Sequence, residues 1–273
     1  MAGCIVFGAD DSACAETGLA VATQLAADLS VRLVVVRMVD EDSSYPARVA
    51  REQNAELLVV CSRARRRWRA AVAGSVSAAL ERSAPCPLVV VPSGAEMASS
   101  AASAPSVTSI VCGIADPDGD VDLVDFAANL ARRVRARLEV VHVDSGYGSG
   151  AVLVLPTEAA AEDPLASVAP LRRLRSAMDL AEAHGVPARA RLTFGTPARA
   201  LEHVAQRESA RMIVVGTRCR GLLSAIVQRS VGHELAASGS IPVLMRPHQQ
   251  PGGGAENASR ALAKHGWQSP FRS

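Results

Sequence analysis

Short apolar runs alternate along the chain with longer stretches in which apolar positions recur every three or four residues. Strands buried on both faces and helices lying on those faces produce that alternation, so the pattern predicts a mainly parallel α/β sheet. In the C-terminal part the predicted strands are Ile110–Ile114, Leu138–Val143, Ala188–Phe194, Met212–Val215 and Pro242–Met245. Helical spacing is carried by Leu123, Phe126, Leu130 and Val134, and again by Leu171, Leu174, Met178 and Ala181. Pro197 suits the first turn of a third helix, and Ser230 is placed to cap a fourth. The N-terminal part reads as strand Ile5–Ala9, helix Thr17–Leu29, strand Leu33–Val39, helix Ala47–Gln53, strand Leu57–Val60 and a last strand, Leu88–Val91. Between Ser145 and Asp163 the run Val152-Leu153-Val154-Leu155 is surrounded by Gly, Ser, Thr and Pro, and the segment reads as a mobile surface loop.

The two parts are copies of one unit. A shift of 105 lays Ile5, Val6 and Gly8 on Ile110, Val111 and Gly113, and Arg32, Leu33, Val35 and Val36 on Arg137, Leu138, Val140 and Val141. A shift of 155 lays Val59, Val60 and Arg63 on Val214, Val215 and Arg218, and Ser75, Leu80, Pro87 and Pro92 on Ser230, Leu235, Pro242 and Pro247. Two offsets mean a shared front and back around a middle that the first copy lacks. The missing piece corresponds to one helix and one strand, from Ser145 to near Gly195 of the second copy. Such a loss is tolerable only where the strand lies at a sheet edge, because an interior gap would orphan a row of backbone hydrogen bonds. The predicted organisation is a first unit over 1–94, a Ser/Ala-rich linker over 95–106, a complete unit over 107–247, and a disordered tail over 248–273.

Composition narrows the function classes. Hydrophobic residues make up 49% and aromatics only 3%, enough for an aliphatic core and too little for stacking platforms on single-stranded nucleic acid. A net charge of +2 gives no reason to expect a nucleic-acid partner. The six cysteines never fall in C-x-x-C spacing and read as small buried hydrophobes of a reducing compartment. No secretory leader or membrane-length apolar run is visible, so a cytoplasmic location with no membrane contact is expected.

One constellation carries chemistry. In the first copy, strand Leu57–Val60 runs into Cys61-Ser62-Arg63-Ala64, and nine residues later comes Gly74-Ser75. Ser83-Ala84-Pro85-Cys86-Pro87 then precedes a Val-rich strand, and Gly8-Ala9-Asp10-Asp11-Ser12 closes the first strand. In the second copy the corresponding stretches are Gly216-Thr217-Arg218-Cys219, Arg229-Ser230 and Gly113-Ile114-Ala115-Asp116.

These residues resemble the universal stress protein family, whose signature is an apolar strand, Gly-x-x-Gly-x(9)-Gly-[Ser/Thr], a helix and a final Val-rich strand. The resemblance covers about 5–93 and 108–247. It implies two tandem flavodoxin-like (Rossmann-like) doubly wound domains with sheet order 3-2-1-4-5, the first lacking one helix and one edge strand. It further implies that the final strands pair the two units into an intramolecular pseudo-dimer, with further homodimerisation open. In the family the glycine loop wraps the phosphates of ATP, and an Asp after the first strand holds adenine. Glycines suit that task because bare backbone N–H groups approach phosphate oxygens at a helix N-terminus.

Carried over position by position, the resemblance places Asp10 at adenine, and Ser62, Arg65, Gly74 and Ser75 at the phosphates of ATP in the first unit. Gly216 and Ser230 are the counterparts in the second. Both loops depart from the signature: Cys61 and Ala64 replace two glycines, Arg229 replaces a third, and Ala115 stands where the aspartate belongs. The run Arg63–Arg69 with Trp68 reads either as a solvated basic loop or as guanidinium groups replacing lost backbone contacts to phosphate. Cys61 and Cys219 read as small-residue drift, since no resolving thiol is evident in the sequence. No His cluster has metal spacing, and no nucleophile, base and oxyanion donors assemble. The expectation is a non-catalytic stress-response binding protein with degenerate loops, or a scaffold that binds no nucleotide.

Overall fold

The computed structural model describes residues 3–12, 14–38, 44–62, 84–95, 108–115, 120–144, 152–155, 169–217 and 231–247. The apolar runs are strands because Val, Ile and Leu fill both of their faces, and the helical stretches cover those faces. In the first unit these are β1 (Cys4–Ala9), α1 (Ala15–Leu29), β2 (Arg32–Arg37), α2 (Tyr45–Glu52), β3 (Leu57–Cys61) and β4 (Leu88–Val91). In the second they are β5 (Ser109–Ile114), α3 (Val121–Arg133), β6 (Arg137–Asp144), β7 (Val152–Leu155), α4 (Ala169–Ala183), β8 (Ala188–Phe194), α5 (Pro197–Arg207), β9 (Ala210–Thr217), α6 (Val231–Ser238) and β10 (Val243–Pro247). None of the described helices is long and apolar enough to cross a membrane.

The ten described strands form one sheet, in the order β2-β1-β3-β4-β10-β9-β5-β6-β8-β7. Pairing is parallel except for β4 with β10 and β7 with β8. Within the second unit, β8-β6-β5-β9-β10 follows the 3-2-1-4-5 order, and in the first unit β2-β1-β3-β4 is that order with its third strand gone. The segment that the first unit lacks holds two strands, β7 and β8, rather than the one expected; both lie at the outer end of the sheet, so their absence interrupts no interior row of backbone hydrogen bonds. One face carries α1, α3 and α4 over Ile5, Phe7, Ile110, Cys112 and Leu138. The opposite face carries α2, α5 and α6 over Val6, Leu58, Val111 and Ile213.

The Ser145–Asp163 segment corrects the sequence reading, because Val152–Leu155 is a strand rather than part of a surface loop. It pairs antiparallel with β8, from Val152 opposite Thr193 to Leu155 opposite Ala190. The open edge of β8 supplies hydrogen-bonding groups that a run of β-forming residues can satisfy, and the Gly/Ser setting concealed this. Pro197 does open α5, with Thr196 before it. Ser230 as a helix cap, the linker and the tail fall outside the described residues, apart from Ala95.

The duplication persists in backbone conformation. Ser30 and Arg135, equivalent under the first offset, have φ of 55° and 54°; Asn54 and Ser209, equivalent under the second, have 50° and 49°. Each pair lies just past a helix C-terminus, where a left-handed residue ends the helix and turns the chain into the next strand. A contact persists as well. Arg32 donates to Gln53 Oε1 at 2.6 Å, and its equivalent Arg137 donates to Glu208 Oε2 at 3.0 Å.

The second copy adds charge to that contact. Arg191 on β8 donates to Glu139 at 2.8 Å and to Glu208 at 2.6 Å. Glu139 is 0% exposed and Arg191 3%, so this network is desolvated. In the first copy, which lacks the arginine's strand, Val34 stands at the position of Glu139 and neutral Gln53 at that of Glu208. The loss of one cation accompanies the loss of both carboxylates, which keeps unpaired charge out of the core.

Deletion also uncovers an apolar face. Leu19 and Val35 are 40% and 53% exposed, whereas their equivalents Val124 and Val140 are fully buried where α4 and β8 cover the sheet. Two outcomes follow in chemical denaturation. Arg191→Ala should cost about 3–5 kcal/mol by stranding Glu139, and Arg32→Ala less than about 1 kcal/mol. Val140→Thr should cost about 1–3 kcal/mol by burying a hydroxyl, while Val35→Thr stays within about 0.5 kcal/mol of the parent.

Candidate functional site

In an open parallel sheet, ligands sit beyond the carboxyl ends of adjacent strands whose connections leave in opposite directions. The first unit has this arrangement between β1, which leads to β2, and β3, which leads to β4 on the other side. The second has it between β5 and β9. Each crevice is thus fixed by strand order before any side chain is considered.

Asp10 lies directly after β1, at the first crevice. Its Oδ1 accepts from Ser12 N–H at 3.3 Å and from Ser12 Oγ at 2.6 Å, forming a local turn that fixes the carboxylate ahead of α1. Asp11 points instead toward Arg37 at 3.4 Å, a pair whose side chains are 80% and 89% exposed and which contributes little. Ser62 follows β3 and is buried. Its N–H donates to Val91 O at 2.8 Å, and its hydroxyl accepts from Ser93 N–H at 3.3 Å. Ser62 therefore stitches β3 to the end of β4. Arg65, Gly74 and Ser75 lie outside the described residues, as do Trp68 and Cys219.

Two thiols meet in this crevice. Cys61 Sγ donates to Cys14 O at 3.1 Å, and Cys14 Sγ donates to Val91 O at 3.5 Å and Pro92 O at 3.6 Å. Hydrogen bonding from Cys61 lowers the Cys14 thiol against the effect of burial. The same bond, with burial, raises Cys61. The sequence suggested no partner for Cys61. The fold supplies one from the residue preceding α1, and only the juxtaposition of β3 with α1 could reveal it.

Packing explains why a cysteine is found here. A Cβ built on Gly18 of α1 would collide with Cys61 Sγ and stand 2.9 Å from Phe7 Cε2. In the second copy the equivalents of Gly18 and Cys61 are Leu123 and Gly216. A Cβ on Gly216 would lie 3.4 Å from Leu123 Cδ2. The larger side chain thus sits on the strand in one copy and on the helix in the other. Gly216 is extended strand within β9 and lies beside Leu123.

The second crevice differs in its polar groups too. Ala115, equivalent to Asp10, offers only its N–H, which donates to Asp120 Oδ2 at 2.8 Å. Arg246 of β10 pairs in register with Gly216. Its Cζ lies 4.8 Å from the centroid of Phe126, and its Nη1 donates to Asp122 O in the first turn of α3. A guanidinium consequently bridges from β10 past Gly216 to the helix that follows β5. Burial lowers its proton affinity, opposed by Asp122 and Asp125. Sequence reasoning missed Arg246, although the offset of 155 sets it against Val91, an arginine against a fully buried valine. Ser230 is outside the described residues. Among the described residues, no group of three or more His, Cys, Asp or Glu side chains could hold a metal ion.

A mostly parallel sheet covered on both faces, with a crevice at each strand switch point, defines a doubly wound α/β protein of the kind that accepts small ligands at its carboxyl edge. The chain belongs to the universal stress protein family, whose model matches residues 46–92 and 107–247. β1, α1 and β2 precede the first matched segment and are related to the second copy by the internal repeat. No curated protein matches the chain.

Among solved structures, a universal stress protein from Archaeoglobus fulgidus superposes with a TM-score of 0.54 at 14% identity, covering 90% of this chain and 86% of that one. A putative universal stress protein from Pseudomonas aeruginosa gives 0.55 at 15% identity, covering 90% and 93%. Both span nearly the full length, as expected of tandem members. A shorter universal stress protein from Archaeoglobus fulgidus, solved in complex with dAMP, covers 52% of this chain and 98% of its own, with a TM-score of 0.35 and 19% identity.

The exchanged glycine yields a test. Gly18→Ala should destabilise the protein by about 1–3 kcal/mol through overpacking. Adding Cys61→Gly should recover most of that loss, read as coupling in a double-mutant cycle of urea midpoints.

Proposed function

We propose that the chain comprises two tandem flavodoxin-like units, residues 1–94 and 107–247, forming an intramolecular pseudo-dimer, with the first unit short of one helix and the two outer strands of the second. Its function is non-catalytic binding or regulation in a cytoplasmic stress response, with ATP as the ligand of the first unit alone. The contrast between the two crevices carries this reading. The first keeps Asp10, held by Ser12 at the carboxyl end of β1. The second has Ala115 there, with its amide engaged by Asp120, and Arg246 spans the β9 end at Gly216.

Ser62 contributes by fixing the start of the loop against Ser93, and Arg65, Gly74 and Ser75 complete the phosphate side. Gly216 and Ser230 are remnants in a unit that binds no nucleotide. The absence of an assembled nucleophile and base in the sequence supports a binding role over turnover.

A second reading, an interaction scaffold without nucleotide, is favoured by one observation. Leu19 and Val35 are exposed in the first unit where their equivalents are buried in the second.

Titration calorimetry of the full chain with ATP separates the two readings. One weak site per chain is expected, weakened about 10–100-fold by Asp10→Ala, the loss of a hydrogen bond to a charged acceptor. The stoichiometry should be unchanged by Arg246→Ala. No heat at millimolar ATP would leave the scaffold reading.

A further inference from the structure

We propose that Cys14 and Cys61 constitute a buried dithiol redox site between the start of α1 and the end of β3, which hydrogen peroxide oxidises to an intramolecular disulfide. The site is independent of nucleotide binding and stands whichever reading of the crevice is correct. The two cysteines lie 47 positions apart and come from separate elements, one preceding α1 and one ending β3. Their juxtaposition depends on Gly18, since any side chain there would occupy the space of Cys61 Sγ.

The Cys61 Sγ stands 3.1 Å from the Cys14 carbonyl oxygen, and both residues are buried in the same core cluster. The second copy has no such pair: Gly216 replaces Cys61 and Gly119 replaces Cys14. Both thiols are thus specific to the unit that retains Asp10.

The environment assigns the roles. Cys14 precedes the first turn of α1, where the helix N-terminus favours an anion, and the Cys61 S–H bond favours its thiolate. The other described thiols are pushed the opposite way by burial, Cys86 up to about 12, with Cys4 and Cys112 also raised.

The Cys14 thiolate attacks one peroxide oxygen. The O–O bond breaks, giving a sulfenic acid and hydroxide. Cys61 sulfur then attacks the Cys14 sulfur, the S–S bond forms and the S–O bond breaks. The departing hydroxide takes the proton released by Cys61. In sum, two thiols and one hydrogen peroxide give one disulfide and two waters, with two electrons passing from sulfur to peroxide. The product would tie the start of α1 to the end of β3, beside both Asp10 and Ser62.

The test is peptide mapping by mass spectrometry of the reduced full chain after treatment with hydrogen peroxide, digested without reductant. A Cys14–Cys61 cross-linked peptide is expected, and dithiothreitol should reverse it. Dimedone should trap a sulfenic acid on Cys14 in the Cys61→Ser variant, and label this position at least about 10-fold less in the parent, where Cys61 resolves it. Cys4→Ala and Cys86→Ala should leave the cross-link intact. A disulfide joining Cys4 to Cys86, a link through Cys219, or oxidation that leaves Cys14 and Cys61 reduced would overturn the proposal. Should Cys61→Ser fail to fold, the parent peptide map decides alone.

Discussion

The antiparallel pairing of β4 with β10 is the contact on which the rest of the molecule depends. Each copy ends in a strand that would otherwise be a bare edge, and this pairing removes both edges at once. Val89 and Leu244 are equivalent residues of the two copies, and they face each other in register. An approximate two-fold axis therefore passes through that pair, inside a single chain. Because the strands run in opposite senses across it, the two crevices open at opposite ends of one sheet. They cannot share a ligand, and each has been free to change alone.

The changes come in compensated pairs. Gly18 with Cys61 and Leu123 with Gly216 fill the same space by exchanging which element carries the side chain. Arg32 with Gln53 preserves the contact of Arg137 with Glu208, but without the carboxylates that Arg191 neutralises. Close packing and the cost of buried charge explain both. Loss of a loop glycine in this chain is accordingly also a packing event, and a motif scored by glycines alone misses the partner that changed with it.

Much of the architecture was legible in sequence because it follows from period and repetition. Every parallel strand was found from its apolar run, and the two offsets located the missing piece, which the strand order places at the outer end of the sheet with a second strand that the offsets did not foresee. β7 was not legible, since an isolated run in a Gly- and Ser-rich setting carries no periodic support, and its partner β8 is distant in sequence. The site was less readable. Asp10, Ser62 and Gly216 fall at the strand ends where the motif put them, but what they touch is not a matter of spacing. Ser62 binds Ser93, Gly216 accommodates Leu123, and Arg246 arrives from a strand that the motif does not include. Arg65, Gly74, Ser75 and Ser230 lie outside the described residues.

Among the described strands β2 has β1 alone as its neighbour, and it presents the run Leu33-Val34-Val35-Val36 between Arg32 and Arg37. An aliphatic edge of this kind is a template for unwanted strand addition between molecules. Arginine at each end places positive charge beside any copy of the same edge that approaches, so like charges oppose self-association. Shortening the first unit thus carried a colloidal hazard, and two arginines at the ends of one strand act against it.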